Sequence, residues 1–242
     1  MKQALNIPVI GVLRSPFHEK FGIPRQPNLV QVPAVIEFFE PYGIVQAFEG
    51  LKNFSHVWLI WSFHQNKDNS DAEKFRAQIR PPRLGGNRKI GVFASRSMYR
   101  PSRLGLSVVR LLDVIEQDGQ ARVLVDGVDL LDGTPIIDIK PYVAYSDAIV
   151  QAHSGFAAES PDSKQVLWTE EAQGETDSLI SQSVLSAQQC RIIEQLLALD
   201  PRPAYQDDAN RVYGMRYDQV NVLFSIAGDT VHIQSVACIQ AL

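Results

Sequence analysis

Apolar positions alternate with polar ones, or gather in short runs, at 7–13, 35–39, 56–63, 90–94, 107–115, 122–125 and 135–139. Gly, Pro, Asn and Asp separate these stretches, so each reads as a short strand bounded by turn chemistry. Strands at this spacing predict a β-barrel or sandwich over residues 1–145. The run at 107–115, in which Val108, Val109, Leu111, Leu112, Val114 and Ile115 are apolar, also fits a short buried helix; the strand reading is adopted.

The pattern changes further on. Residues 146–178 are rich in Ala, Ser, Gly and acidic groups and poor in large apolar side chains, which predicts a connector and a boundary near 150–165. Beyond it, Ser186 and Gln189 have the spacing of a capping box. Ile192, Ile193, Leu196, Leu197 and Leu199 then keep helical spacing until Asp200-Pro201 ends the run, predicting a helix over 187–199. The stretches 220–227 and 230–239 alternate around Gly228-Asp229, a two-residue hairpin signal. The expected organisation is mainly β: a β-barrel N-terminal domain over 1–150, an acidic connector over 151–180 and a small α+β C-terminal domain over 181–242.

Composition adds little until it is divided. A chain of 242 residues, 45% hydrophobic and 21% charged, is long enough to bury a core without staples and is not disordered throughout. Its net charge of −4 argues at first sight against a polyanionic partner. That value averages two unlike parts: residues 1–145 carry 18 basic side chains against 14 acidic, and residues 146–242 carry 5 against 13. Residues 76–103 hold eight basic side chains and no acidic one, interleaved with Pro81, Pro82, Gly85, Gly86 and Tyr99. Such a run is ordinarily a solvated face, but a phosphate-contacting surface reads the same way. The two cysteines, Cys190 and Cys238, and the five histidines show no ligand spacing, so no metal site is expected. With no signal-peptide core and no apolar run near the ~18 residues of a membrane span, a reduced cytoplasm is the expected location.

Four segments hold more polar and special-geometry residues than a barrel needs. In residues 21–27, Pro24 and Pro27 stiffen the backbone around Arg25 and Gln26. Phe63-His64-Gln65 follows a very apolar strand, where polar groups often line a pocket mouth. Arg80, Arg83, Arg96 and Arg100 sit among paired glycines that allow close backbone approach, without the frame of a P-loop. Asp129-Leu130-Leu131-Asp132-Gly133 ends in a turn, and Asp138 and Lys140 share a strand face by their spacing of two. These features alone leave two classes open: an enzyme acting on a nucleotide or phosphorylated substrate, and a nucleic-acid-binding barrel without chemistry. A Rossmann-type site is disfavoured, since no Gly-x-Gly after a strand opens a helix.

Taken in order and spacing, the motifs are more specific. Arg14-Ser15-Pro16-Phe17, Pro24-Arg25-Gln26-Pro27, Phe63-His64-Gln65, Arg80-Pro81-Pro82-Arg83-Leu84-Gly85-Gly86-Asn87, Gly91-Val92-Phe93-Ala94-Ser95-Arg96-Ser97, Leu131-Asp132-Gly133-Thr134-Pro135 and Asp138-Ile139-Lys140-Pro141-Tyr142 resemble the TsaA-like or TrmO family. Asp200-Pro201-Arg202-Pro203-Ala204-Tyr205 is similar to its bacterial members. The resemblance implies a homodimeric β-barrel enzyme that uses S-adenosylmethionine to methylate N6 of N6-threonylcarbamoyladenosine at tRNA position 37. It implies cofactor contacts at Arg25, Gln26, Pro27, His64, Gln65, Arg96, Leu104, Asp129, Leu130, Leu131 and Asp132. Anticodon-loop phosphates suit Arg80, Arg83, Arg88, Lys89, Arg100 and Arg103. Asp138, Asp132 and His64 are the candidates for accepting the N6 proton. Where the family usually reads Arg-Pro-Asn-Pro, this chain has Arg100-Pro101-Ser102-Arg103.

Overall fold

The computed structural model describes residues 5–65, 75–203, 206 and 208–239. In chain order the strands are β1 (Gly11–Arg14), β2 (Ala34–Phe38), β3 (His56–Ser62), β4 (Gln78–Ile79), β5 (Ile90–Gly91), β6 (Leu104–Gln117), β7 (Gln120–Asp126), β8 (Thr134–Pro141), β9 (Gln165–Trp168), β10 (Tyr213–Tyr217), β11 (Val220–Ala227) and β12 (Thr230–Cys238). The helices are α1 (Ala144–Asp147), α2 (Glu170–Ser181) and α3 (Ala187–Ala198).

Six strands close into a barrel in the order β1-β2-β7-β6-β3-β8, every neighbouring pair antiparallel. Alternation turns Val57, Leu59 and Trp61 of β3 and Ala121, Val123 and Val125 of β7 into the interior, which side chains fill. Strand β6 explains why its sequence looked partly helical. Its pairing with β7 slips between Leu111 and Asp113, so Ser107, Val109 and Leu111 face inward and, after one extra residue, so does Val114. A bulge breaks the period of two at that point and leaves consecutive apolar residues in the sequence.

The second sheet has the order β10-β11-β12-β9, with β9 parallel to β12. Helix α2 packs on β12 and α3 on β9. The capping box forms as expected: the Ser186 hydroxyl accepts from Gln189 N at 3.2 Å, and Ser186 N donates to Gln189 Oε1 at 2.9 Å. The stretch expected as an acidic connector, 151–180, holds β9 and all but the last residue of α2. Helix α2 buries only Ala172, Thr176 and Leu179, spaced at one helical turn, and a stripe of one small, one polar and one large residue leaves little trace in composition. The strand expected at 90–94 is also shorter. It ends at Gly91, and Val92–Ala94 forms a 3-10 turn that buries Val92 and exposes Phe93.

The loop after β1 joins barrel and second sheet. Phe17 meets Tyr217 edge-on at 6.3 Å between ring centroids, and Phe21 stacks on Tyr213 at 6.5 Å and Phe224 at 6.3 Å. Asp218 N donates to Pro16 O at 2.8 Å, and Arg216 N donates to Glu19 Oε1 at 3.0 Å. Gly22, at φ 88°, leaves the space that the Met215 side chain fills; any Cβ there would collide with its sulfur. The second sheet thus fixes the course of the chain immediately before Arg25.

Candidate active site

The barrel register places the singled-out loops together. Leu13 pairs with Thr134, Trp61 with Ile136, Ser62 with Leu104, and Ala34 with Val125. The segments leaving β1, preceding β2, leaving β3, entering β6 and joining β7 to β8 therefore all emerge at one end of the barrel. Residues 15–28, 63–65, 95–104 and 127–133, scattered along the sequence, meet there.

On one side opens a cavity of about 1570 Å³, whose wall includes Arg25, Gln26, Phe63 and Arg96 together with Arg80, Arg83 and Lys89. Arg96 Nη1 donates to Gln26 Oε1 at 2.5 Å. Arg25 Nη2 donates to Arg202 O at 3.2 Å, and Arg202 is itself held by a bidentate pair with Asp200 at 2.9 and 2.8 Å, so the second sheet's neighbourhood braces the site. The opposite wall is formed by residues 156–162, a part of the expected connector that acquires a place at the cavity; Arg83 donates to the Glu159 carbonyl across it.

Close enough to Arg96 to feel its charge lies Asp129. Its Oδ1 accepts from the buried Ser107 hydroxyl at 2.9 Å, and the Ser107 oxygen accepts from Trp61 Nε1 at 3.1 Å. Burial pushes the Asp129 carboxyl up to about 6, against the Ser107 hydrogen bond and the positive charge of Arg96, which favour ionisation. The rest of the turn is fixed by the loop after β1. Ser15 Oγ donates to Leu130 O at 2.8 Å, Ser15 N to Asp132 Oδ1 at 3.1 Å, and Asp132 N to Phe17 O at 2.7 Å.

His64 stands near Asp132, and neither it nor Gln65 lines the cavity. Desolvation and the charge of Lys20 hold the His64 imidazole below its usual value, and contact with Asp132 partly offsets them. Lys20 Nζ donates to Gln65 O, and His18 Nδ1 is 4.0 Å from Asp132 Oδ2. Of the residues singled out in the sequence, Arg25, Gln26, Arg96, Arg80, Arg83 and Lys89 line the cavity, while Asp129–Asp132, His64 and Gln65 form its neighbour. Arg88 is exposed outside the lining, Pro27 lies in a turn off the lining, and Leu104 opens β6 opposite Ser62. Arg100 turns back, donating from Nη1 to Ser95 O at 2.8 Å. Arg103 adopts φ 53°, a conformation closed to proline, and its carbonyl accepts from Phe63 N at 2.9 Å. The Arg103 carbonyl thus ties the backbone at Phe63 to a turn that proline could not adopt in this conformation. Asp138 lies mid-strand opposite Ile60, 3.5 Å from Lys140 Nζ, and is not brought to the cavity.

Sequence reasoning missed Ser107, Trp61 and Lys20. The signal for Ser107 was a single hydroxyl at an inward position of an apolar strand. Among the described residues no cluster of His, Cys, Asp or Glu is arranged to hold a metal ion, and no helix is long and apolar enough to cross a membrane.

Known proteins share this architecture. The tRNA-methyltransferase O N-terminal domain matches residues 12–148 and the TrmO C-terminal domain residues 161–239. The Escherichia coli tRNA (adenine(37)-N6)-methyltransferase is 36% identical over 221 residues, 90% of this chain and 91% of that protein. A Pseudomonas aeruginosa protein, RcsF, provisionally named as an S-adenosylmethionine-dependent methyltransferase, is 46% identical over 218 residues, 88% of this chain and 89% of that one. The crystal structure of TrmO from Pseudomonas aeruginosa superposes with a TM-score of 0.78 at 35% identity, covering 97% of this chain and 99% of that one. The chain thus falls among the S-adenosylmethionine-dependent tRNA methyltransferases. Within that class the chain belongs to the TrmO family.

The residues present fit the cofactor. S-adenosylmethionine offers ribose hydroxyls and amino groups that need acceptors and a carboxylate that needs donors. Asp129 and Asp132 supply two carboxylates from one turn, and Arg25, Gln26 and Arg96 supply donors on the adjoining wall.

Proposed function

We propose that this chain methylates N6 of N6-threonylcarbamoyladenosine at tRNA position 37, with S-adenosylmethionine as donor. The observation that carries the reading is the convergence, at one barrel end, of a carboxylate turn with a cavity wall bearing Arg25, Arg80, Arg83, Lys89 and Arg96. S-adenosylmethionine, when bound, supplies a methyl group on a positively charged sulfur. Displacement at such a methyl needs no protein nucleophile, so the residues act by positioning, which contributes up to ~7–11 kcal/mol in well-oriented systems. Asp129, ionised above about pH 6, accepts from cofactor hydroxyl or amino groups. Gln26, Arg25 and Arg96 orient the amino-acid end. Arg80, Arg83 and Lys89 face the phosphates of the anticodon loop, whose unstacked bases are free to turn into a pocket.

Of the three candidate proton acceptors, His64 is favoured. Asp138 is paired with Lys140 in mid-strand, and Asp132 accepts from Ser15 N. His64 is held in its neutral form at neutral pH, the form that accepts a proton.

The test is transfer of labelled methyl from S-adenosylmethionine to total tRNA from a strain lacking the modification, beside tRNA that also lacks the threonylcarbamoyl group. Label in the first and not the second is expected; label in neither overturns the reading, and equal label in both overturns its substrate. A cytoplasmic homodimer completes the proposal. Tyr145, Ile149 and Val150 are 94%, 74% and 96% exposed, an apolar group that a second copy would cover, and light scattering at working concentration checks the mass.

A further inference from the structure

Phe93 is 67% exposed and Phe75 59% exposed, although both lie beside the most positively charged stretch of the chain. Large apolar rings left in water in the middle of a cationic surface are unfavourable unless something covers them. Local structure holds them there. The short β4–β5 pair sets the two strands side by side, Val92 N donates to Ala77 O at 2.9 Å, and Val92 is buried, so the 3-10 turn projects Phe93 outward as its neighbour is anchored. Ser95 Oγ closes the turn onto Val92 O at 2.8 Å.

The rings form a platform. Phe75 and Phe93 stack at 5.9 Å between centroids with 30° between planes. The Arg100 guanidinium lies 5.6 Å from the Phe93 centroid, and that of Arg76 lies 4.2 Å from the Tyr99 centroid. Arg100 is oriented by its bond to Ser95 O, so the guanidinium plane is fixed relative to the ring. Phe93 and Tyr99 both line the cavity.

We propose that the Phe75–Phe93 pair is a stacking platform for an unpaired base of the substrate RNA loop. Every base has a π-face, so the platform takes an unstacked nucleotide while the exposed cations of the same cavity, Arg80 and Lys89, take its backbone. The two features belong to one ligand: an apolar protein partner would leave the cations uncompensated, and phosphate alone would leave the rings wet. Charge complementarity selects RNA, since residues 76–103 contain no acidic side chain. This inference rests on the tRNA-methyltransferase reading and adds where a loop base is held.

The experiment measures affinity for a short RNA hairpin with an open anticodon-type loop, and for a blunt RNA duplex of equal length, with wild type, Phe93→Ala, Phe93→Leu and Phe93→Tyr. Phe93→Ala and Phe93→Leu are expected to weaken hairpin binding by about tenfold or more, Phe93→Tyr to restore it, and duplex binding to stay unchanged. Calorimetry with S-adenosylmethionine, whose adenine is the other available π-face, should give equal affinity for all four proteins. Equal hairpin affinity for wild type and Phe93→Ala, or full function in Phe93→Leu, overturns the platform and leaves the methyltransferase reading intact. Loss of cofactor affinity in Phe93→Ala overturns it in favour of the cofactor as occupant. Failure of wild type to bind either RNA overturns both readings.

Discussion

Ser107 Oγ donates to Asp129 Oδ1 at 2.9 Å from a position almost wholly inside the barrel, 1% exposed. The bond ties the barrel wall to the turn that carries the proposed cofactor carboxylates. It also opposes the desolvation that raises the Asp129 value, so removing it should raise that value further. In Ser107→Ala the pH at which S-adenosylmethionine affinity is half lost should move upward from about 6, as read by calorimetry across a pH series. An unchanged midpoint would separate Asp129 from cofactor binding.

The same carboxyl makes a prediction about stability. Its folded value, about 6, exceeds the ordinary 3.8, so the folded state binds the proton more tightly. The stabilisation is complete below the lower value and is lost as pH rises through the higher one. Asp129→Asn, which has nothing to titrate, should therefore melt several degrees above wild type near neutral pH, with the gap closing toward about pH 4. The variant should also lose about tenfold or more in cofactor affinity, as expected when a charged hydrogen bond is removed. A melting difference independent of pH would mean the carboxyl is better solvated than its surroundings indicate.

These relationships mark how far the sequence was legible. The barrel strands were visible because their inward residues are large and regularly spaced: Val57, Leu59 and Trp61 could belong to nothing but a half-buried strand. Helix α2 was hidden because its buried face is Ala172, Thr176 and Leu179, and β9 because its apolar run is only Val166-Leu167-Trp168 in a polar stretch. At the site, Arg25, Gln26 and Arg96 were legible from motif resemblance, and the structure assembles them on one wall. Ser107 was not, since a hydroxyl in an apolar strand acquires meaning only when register brings Trp61 and Asp129 to either side of it. Arg100 and Arg103 illustrate the reverse. A cation count cannot distinguish a guanidinium that faces solvent from that of Arg100, engaged with Ser95 O, nor a residue such as Arg103 that serves the turn through its backbone carbonyl.

Gly105 stands against the indole ring of Trp61, with no room for a Cβ. Trp61 is also the donor to Ser107, so displacing its ring disturbs packing and the Asp129 linkage together. Gly105→Ala should destabilise the protein by about 1–3 kcal/mol through overpacking and lower its melting temperature accordingly. It should also weaken cofactor binding, although residue 105 touches no proposed ligand group. Retained cofactor affinity in a destabilised variant would show that the Trp61–Ser107 linkage is not needed to hold Asp129.

Arg80 and Lys89 are exposed and line the cavity, unlike Arg100, whose guanidinium is engaged with Ser95 O. Neutralising Arg80→Gln and Lys89→Gln should weaken tRNA binding and reduce the slope of log affinity against log salt by about 0.7–0.9 for each phosphate no longer neutralised. The melting temperature should be unaffected within about 0.5 kcal/mol of stability, since exposed charges contribute little to folding. A slope unchanged by both substitutions would identify this stretch as a solvated face.

His64 allows the proposed proton acceptor to be examined without catalysis. Desolvation and Lys20 lower its value, whereas Asp132 raises it. Followed by imidazole NMR, wild-type His64 should titrate below its usual 6.5, Lys20→Met should move it upward, and Asp132→Asn should move it further down. Because the folded value is depressed, whatever His64 contributes to stability is present above the unfolded value and lost as pH falls through the folded one. If His64 accepts the N6 proton, the methyl-transfer rate should fall with protonation below neutrality at the pH given by the NMR titration, and Lys20→Met should carry the rate profile upward by the same interval. A rate profile that stays fixed while the imidazole titration moves would assign the proton to water.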